Sequence, residues 1–409
     1  MENIRKKIFI VTQYFYPENF RINELAYELV KDGYEVDALV GIPNYPTGKY
    51  FDGYGLFKKR YEVKNGVRIY RCFQFPRGTK GSNLILSLNY LSYLISASLW
   101  VLFKFAFKRK YDAIIVFEPS PITQLIPAIL LGKIRNIRVL SWIQDIWPDS
   151  IVGTTSEKQR RFLLPILSSI TEFTYRNSDK LLISSPGMKS LICRKNNYAD
   201  KIEYLPNWSD DFQNGQIEDV PIMPKGFNLV MAGSINDGIG IEDLICFIEL
   251  LKVEKGINIV FIGGGSKKGY LEDYVKNHQL SNVYMLGMFP YEQMPSFYAK
   301  ADAMLLTLAK RKEEHLNVTI PSRLQSYLSA GKPVFAMIGK GAKSIIEDNN
   351  CGFVVSPGDY KALAELVIEN YKNEELLMKM GKNSRMAFEK YFSIEVGKGH
   401  FKELIEQNH

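Results

Sequence analysis

The stretch NVTIPSRLQSYLSAGKPVFAM, Asn317 to Met337, reads as loop, helix, stop and strand. Pro321 suits an entry turn, and Ser322 is placed to cap the free N–H groups of the first helical turn. Leu324 and Leu328 lie four apart and share one helical face. Gly331 is placed as the residue just past the helix end, and Pro333 prevents continuation. Val334 to Met337 is then a short apolar run of the kind found in buried parallel strands. A helix N-terminus that follows a loop carrying Lys310, Arg311 and Lys312, with Arg323 in its own first turn, suits an anion such as a pyrophosphate.

Working outward, the 409 residues suffice for two domains of about 200 residues each, and 46% hydrophobic residues mark a globular chain. The net charge of +8 is dispersed, which argues against nucleic acid as a partner. Cys72, Cys193, Cys246 and Cys351 form no CxxC, and neither HExxH nor DxD occurs. A reducing cytosol, no disulfide framework and no bound metal are expected. The charged N-terminus enters a strand at once, so no signal peptide is expected.

The first half opens as strand, loop, helix, strand: Lys6–Thr12, a polar-aromatic loop, Ile22–Lys31 and Glu35–Val40. The loop QYFYPENFR contains no glycine, so the GxGxxG dinucleotide fingerprint is absent. Its Tyr16, Asn19, Phe20 and Arg21 suit a sugar or another polar acceptor at the carboxyl end of a strand. The long loop GIPNYPTGKYFDGY, with Asn44 and Tyr45, suits the same role. Glu118 and Asp145 end two further strands, and Glu118 is expected to bind the acceptor. Asp145 is expected to face the crevice, and Asp149 to cap the next helix.

Leu84–Phe107 is apolar enough to span a bilayer. It also carries Asn89, several serines and Lys104, and an αβ pattern needs it as a crossover helix. It reads as a helix half-buried in the protein whose outer face, with Lys104, Lys108, Arg109 and Lys110, meets an anionic headgroup layer. A plain core helix ranks second and a transmembrane span third.

The polar run from Pro206 to Pro224 reads as a linker. A second αβ series follows. Phe227–Ala232 ends in Gly233-Ser234, and Ile257–Ile262 ends in Gly263-Gly264-Gly265, whose amides suit phosphate oxygens. The loop Gly287-Met288-Phe289-Pro290 is placed to meet a planar base.

Two αβ halves, the GGGS loop, PSRxxxYxxxGKPV, YFYPENFRINELAYEL, GIPNYPTGKYFDGY and QDIWPDS together resemble a retaining GT-B glycosyltransferase of family 4. The similarity covers nearly the whole chain. It extends to the subgroup that builds bacterial O-antigens and capsules, including N-acetyl-L-fucosamine transferases.

The resemblance implies an α/β fold with two Rossmann-like domains facing across a cleft. Residues 1–208 would hold the acceptor, 209–390 the nucleotide sugar, and a terminal helix from about 391 would pack back on the first domain. It implies transfer of an N-acetylated sugar from a UDP-sugar to a lipid-linked (polyprenyl diphosphate) saccharide at the cytoplasmic membrane face, through a peripheral enzyme without a metal. Donor residues by match are Gly233, Ser234, Gly263 to Gly265, Met288, Phe289, Pro290, Ser322, Leu324 and Ser326. Asp145 falls where the family places a residue beside the transferred sugar.

The sequence departs from the family pattern at two places. Where the family carries a pair of glutamates, Val318 and Ser326 stand. Where it carries an Arg and a Lys after the first donor-domain strand, Ser234 and Gly240 stand. A departing pyrophosphate needs positive charge, so Arg323 and then Lys310 are the expected replacements, with Glu314 and Asn317 for the donor sugar. The competing expectations are a UDP-sugar 2-epimerase of the same architecture and a non-catalytic nucleotide-sugar-binding homologue.

Overall fold

A computed structural model describes residues 5–79, 83–108, 110–151, 156–310 and 318–407. Glu314 and Asn317 therefore lie outside the described residues. The chain divides into two compact units, one of Met1–Leu205 with Lys398–His409, the other of Pro206–Gly397. Each unit is a twisted, mostly parallel sheet with helices on its faces, the doubly wound α/β arrangement.

In the first unit the strands are β1 (Lys7–Val11), β2 (Glu35–Val40), β3 (Tyr61–Lys64), β4 (Val67–Arg71), β5 (Ala113–Glu118), β6 (Val139–Ile143), β7 (Lys180–Ile183) and β8 (Ile202–Tyr204). Their order is β3-β4-β2-β1-β5-β6-β7-β8. All neighbours run parallel except β3 against β4. The central strands are buried on both faces because helices cover both. The β3–β4 hairpin turns through Asn65-Gly66, both at positive φ, the residue pair that tight hairpins favour.

Helix α1 (Arg21–Lys31) crosses from β1 to β2. Helix α2 (Asn83–Trp100), continued by a single π turn at Val101–Phe105, crosses from β4 toward β5. Its buried residues are Asn89, Tyr93, Ala97 and Val101, a stripe of spacing four. Asn89 is tied in by polar contacts: it donates to the Phe75 carbonyl and accepts from Gln13 Nε2 at 2.7 Å.

The tail of the chain completes this unit. In the helix Ile394–Glu406, Phe401, Leu404 and Ile405 are buried, and the Phe401 ring meets Trp142 at 5.4 Å. Lys398 and Lys402 pair with Glu28 and Asp32, and His400 Nε2 lies 2.8 Å from Glu203.

In the second unit β9 (Phe227–Ala232), β10 (Ile257–Ile262), β11 (Val283–Gly287), β12 (Ala303–Thr307), β13 (Val334–Met337) and β14 (Gly352–Val355) form an all-parallel sheet ordered β11-β10-β9-β12-β13-β14. The segment read as a linker is part of this core. It buries Phe212, Val220 and Met223 against Val230 and Phe297.

The deciding stretch folds as loop, helix Ser322–Ser329, and β13. Pro321, not Ser322, occupies the cap position, with extended backbone and no side-chain cap bond. Ser322 is the first helical residue, because the preceding proline fixes the turn by itself. Gly331 takes positive φ just past the helix end.

Candidate functional site

In each sheet the nominated residues gather at the carboxyl ends of the strands, around the point where strand order reverses. That is β9/β12 in the second unit and β1/β5 in the first. Such switch points open crevices where doubly wound sheets bind ligands.

In the second unit, Tyr327 is the anchor. Its hydroxyl accepts from the Ala232 amide at 3.0 Å and lies 3.1 Å from the Ala232 carbonyl. This fixes the helix Ser322–Ser329 against the end of β9. Arg323, one turn earlier on the same face, then lies over the loop after β9 and donates to the Ser234 carbonyl. A β-carbon on Gly233 would come within 2.8 Å of Arg323 Nε. A cavity of about 240 Å³ opens beside it, lined among others by Asn236, Gly238, Thr319, Ser322 and Arg323. Lys310 follows β12, exposed, with its alkyl chain near Gly358.

Several nominated residues have other work. Leu324 is wholly buried and its amide donates to the Pro321 carbonyl, so it offers a ligand nothing. Phe289 turns inward onto Phe297 at 4.7 Å, leaving Met288 and Pro290 exposed in that loop. Ser326 Oγ lies 3.2 Å from Ser209 Oγ.

The glycines after β10 are required first by packing. A β-carbon on Gly263 would sit 2.0 Å from the Gly233 carbonyl oxygen, and one on Gly265 2.3 Å from that of Ile235. The Gly263 amide is already given to Gly287 at 2.7 Å, so it does not reach a phosphate.

In the first unit the two acceptor loops are wired together by Glu18. Its Oε1 accepts from the Asn44 and Tyr45 amides, each at 2.7 Å. Burial lifts its carboxyl to about 7 against those two bonds. Asn44 is wholly buried and serves the loop frame, not a ligand. Its Nδ2 donates to the Ile42 carbonyl and its Oδ1 accepts the Arg77 amide. Phe20 stacks on Tyr14 at 5.3 Å and meets Tyr45 and Phe117. Tyr45 and Asn19 are exposed. Tyr16 turns toward the β3–β4 hairpin, under Lys64 and with its carbonyl bonded by Arg71. Arg21 opens α1 and pairs with Glu24 at 2.6 Å.

Glu118 does not reach the acceptor surface. It is completely buried, and its carboxyl oxygens make no hydrogen bond of ordinary geometry among the described residues. Burial first, then the charge of Asp145, push its carboxyl well above the usual range, against the pull of the Asp145 amide. Asp145 is half-buried and accepts the Ile146 amide at 3.0 Å. Asp149 caps no long helix. It begins a short 3-10 turn and pairs with Arg194 at 3.0 Å. Among the described residues no three His, Cys, Asp or Glu side chains form a group that holds a metal.

Burial raises Asp145 from 3.8 to about 6, so the folded unit holds that proton more tightly than the unfolded chain. The stability this gives is complete below about pH 4 and is lost as the pH rises through 6. Asp145→Asn is expected to melt higher than the parent at pH 8, with the difference closing toward pH 4; a melting gap independent of pH contradicts this.

The sequence offered no sign of the roles of Glu18, Arg77 and Asn89, which act across loops: Glu18 on Asn44 and Tyr45, Arg77 on Tyr14 and Asn44, Asn89 on Gln13 and Phe75. Asn236 was legible: Asn-Asp-Gly after a strand is a turn signature, and its side chain accepts the Gly238 amide at 2.8 Å.

Comparison with known proteins agrees with this layout. Residues 19–208 match the glycosyl transferase 4-like domain, and 214–387 match glycosyl transferases group 1. A probable glycosyltransferase, WbjE of Pseudomonas aeruginosa, is 27% identical over 73% of this chain and 75% of its own. The O-antigen chain mannosyltransferase C of Escherichia coli is 28% identical over 38% and 44%. Among solved structures, Anabaena Alr3699/HepE in complex with UDP superposes with a TM-score of 0.67 at 14% identity, covering 98% and 99% of the two chains. WaaG, a glycosyltransferase involved in lipopolysaccharide biosynthesis, gives 0.65 at 13%, covering 98% and 100%. The fold is GT-B.

Proposed function

We propose, from the premise that this chain consists of a glycosyl transferase 4-like domain followed by a glycosyl transferases group 1 domain, that it moves an N-acetylated sugar from a UDP-sugar to a lipid-linked saccharide with retention and without a metal, in the making of a bacterial surface polysaccharide. The observation that carries the reading is Arg323, held at the β9/β12 switch point beside an open cavity. A guanidinium there meets the charge that grows on the leaving pyrophosphate. Retention proceeds by attack on the face that the pyrophosphate leaves. Its departing oxygen takes the acceptor's proton, so no side-chain base is needed. Asp145 contacts the saccharide. The related O-antigen and UDP-bound proteins support the substrate class.

The test is thermal stabilisation and nucleotide release with UDP-, GDP- and dTDP-sugars in EDTA. Stabilisation and slow hydrolysis with one UDP-N-acetyl sugar bear the proposal out. No response to any of them sinks it in favour of a non-catalytic homologue.

The enzyme works at the inner membrane face. Only 22% of the apolar window of Asn83–Phe105 is buried. Leu84, Leu88, Leu91, Ile95, Leu99 and Phe103 are exposed on it. The helix Leu125–Arg135 packs between α2 and the helix Glu157–Asn177, which exposes Phe162, Ile166 and Phe173. Lys104 lies over the Trp100 ring and Lys133 over the Phe173 ring, placing cations beside these apolar groups as an anionic bilayer favours. Because the stripe through Asn89 binds α2 lengthwise to its unit, the helix lies along the bilayer. Leu88→Glu with Ile95→Glu is expected to lower co-sedimentation with phosphatidylglycerol vesicles by at least about tenfold, from apolar area lost to the bilayer. Unchanged binding removes α2 from the contact.

A further inference from the structure

Arg77 is a cation of the acceptor region that the catalytic scheme leaves unused. Its guanidinium lies over three tyrosine rings, 5.6 Å from the centre of Tyr14, 5.4 Å from Tyr45 and 5.8 Å from Tyr90. It donates through one terminal nitrogen to the Tyr14 hydroxyl. Its backbone is fixed as well, the amide bonded to Asn44 Oδ1 at 3.0 Å. Burial holds Tyr14 well above its usual pKa, so its hydroxyl stays neutral. Arg77 makes no ion pair among the described residues; its charge reaches Glu18, whose carboxyl is committed to two amides. A guanidinium that is held in place, half-exposed and without an ion pair, is ready to receive a phosphate through its planar fork.

Its position names the source of that phosphate. Tyr90 belongs to α2, and the neighbouring exposed residues of that helix are Leu84, Leu88 and Leu91. Tyr45 belongs to the acceptor loop and is exposed. A phosphate at Arg77 therefore has an apolar helix on one side and the saccharide loops on the other. This is the order of groups in a glycolipid whose sugar and prenyl chain are joined by phosphate. We propose that Arg77, framed by Tyr14, Tyr45 and Tyr90, binds the phosphate linkage of a prenyl-diphosphate acceptor and so sets how far the reacting saccharide stands from the membrane. The proposal rests on the acceptor class given above.

The experiment measures binding to the full chain by tryptophan fluorescence, with farnesyl diphosphate, farnesol and inorganic diphosphate as probes. Arg77→Gln is expected to weaken farnesyl diphosphate at least about tenfold, as loss of a charge-assisted pair does. Arg77→Lys should weaken it less, and farnesol binding should stay within about twofold of the parent for both. Circular dichroism should show both variants folded, with a lower melting temperature from the lost Tyr14 hydrogen bond. Equal losses for farnesol and farnesyl diphosphate, or none for either, overturn the assignment. So does inorganic diphosphate binding as tightly as the farnesyl ester, which would make this a site for free anions. None of these readouts needs sugar transfer, so failure of the transferase reading is seen separately, as absence of turnover in the parent.

Discussion

Arg323→Ala is expected to lower turnover about 10²- to 10³-fold with a soluble acceptor, the scale set by removing one preorganised charge partner from a developing anion. Three features make the effect large. The helix that carries Arg323 is fixed by Tyr327 at Ala232, so the guanidinium cannot be replaced by a neighbour sliding into position. The places after β9 where the family carries basic residues are Ser234 and Gly240 here. Lys310, exposed beyond β12 with its alkyl chain near Gly358, carries an ammonium and lacks the planar fork of a guanidinium. The Michaelis constant for the UDP-sugar should change less than turnover, because charge builds up mainly in the transition state. Arg323→Lys should recover only part of the rate, since an ammonium lacks the fork. Parent-like turnover in Arg323→Ala removes the residue from the chemistry.

Gly263→Ala is expected to cost about 3 kcal/mol or more of stability in the second unit, the sum of a strained backbone and a steric collision. The new methyl would lie 2.0 Å from the Gly233 carbonyl oxygen, at φ +144°. Neither loop has room to withdraw. The Gly233 amide is bonded to Ile262 at 2.8 Å and the Gly263 amide to Gly287 at 2.7 Å. Gly264→Ala is the matched comparison. Its methyl meets the flexible end of Met288, and the cost should stay under about 1 kcal/mol. Denaturant unfolding separates the two. If Gly263→Ala is as stable as the parent but binds the donor poorly, the glycine serves the ligand and the packing account is wrong.

The fold was legible where burial is one-sided in its demands. β1, β2, β9, β10 and β13 are apolar runs bounded by loop residues, and each was placed within a residue or two. The first strand of the β3–β4 hairpin was not read. Tyr61-Glu-Val-Lys is an exposed edge whose alternation mixes charges with apolar groups. The turn Asn65-Gly66 that announces it was overlooked. At Glu118 position alone misled. All six residues of β5 are buried, so alternation carries no information about which side chain looks outward, and a carboxylate at a strand end was read as facing a ligand. Arg323 was legible because it lies in the first turn of a clearly bounded helix. Glu18 and Arg77 were not, because their roles depend on loops that meet only after the sheet has formed.

The helix Ile394–Glu406 has a consequence for the chain as it leaves the ribosome. The unit that is synthesised first is finished last. Residues 1–205 emerge with the Trp142 side of their sheet uncovered, and the segment that brings Phe401, Leu404 and Ile405 begins at Lys398. The intervening Pro206–Gly397 takes about 10–40 s to make at ordinary elongation rates. During that interval the second unit can close on its own residues, while the first waits with apolar surface exposed. A nascent-chain holdase has its natural client there, and cutting the chain at Leu205 yields a first unit that never acquires its closing helix.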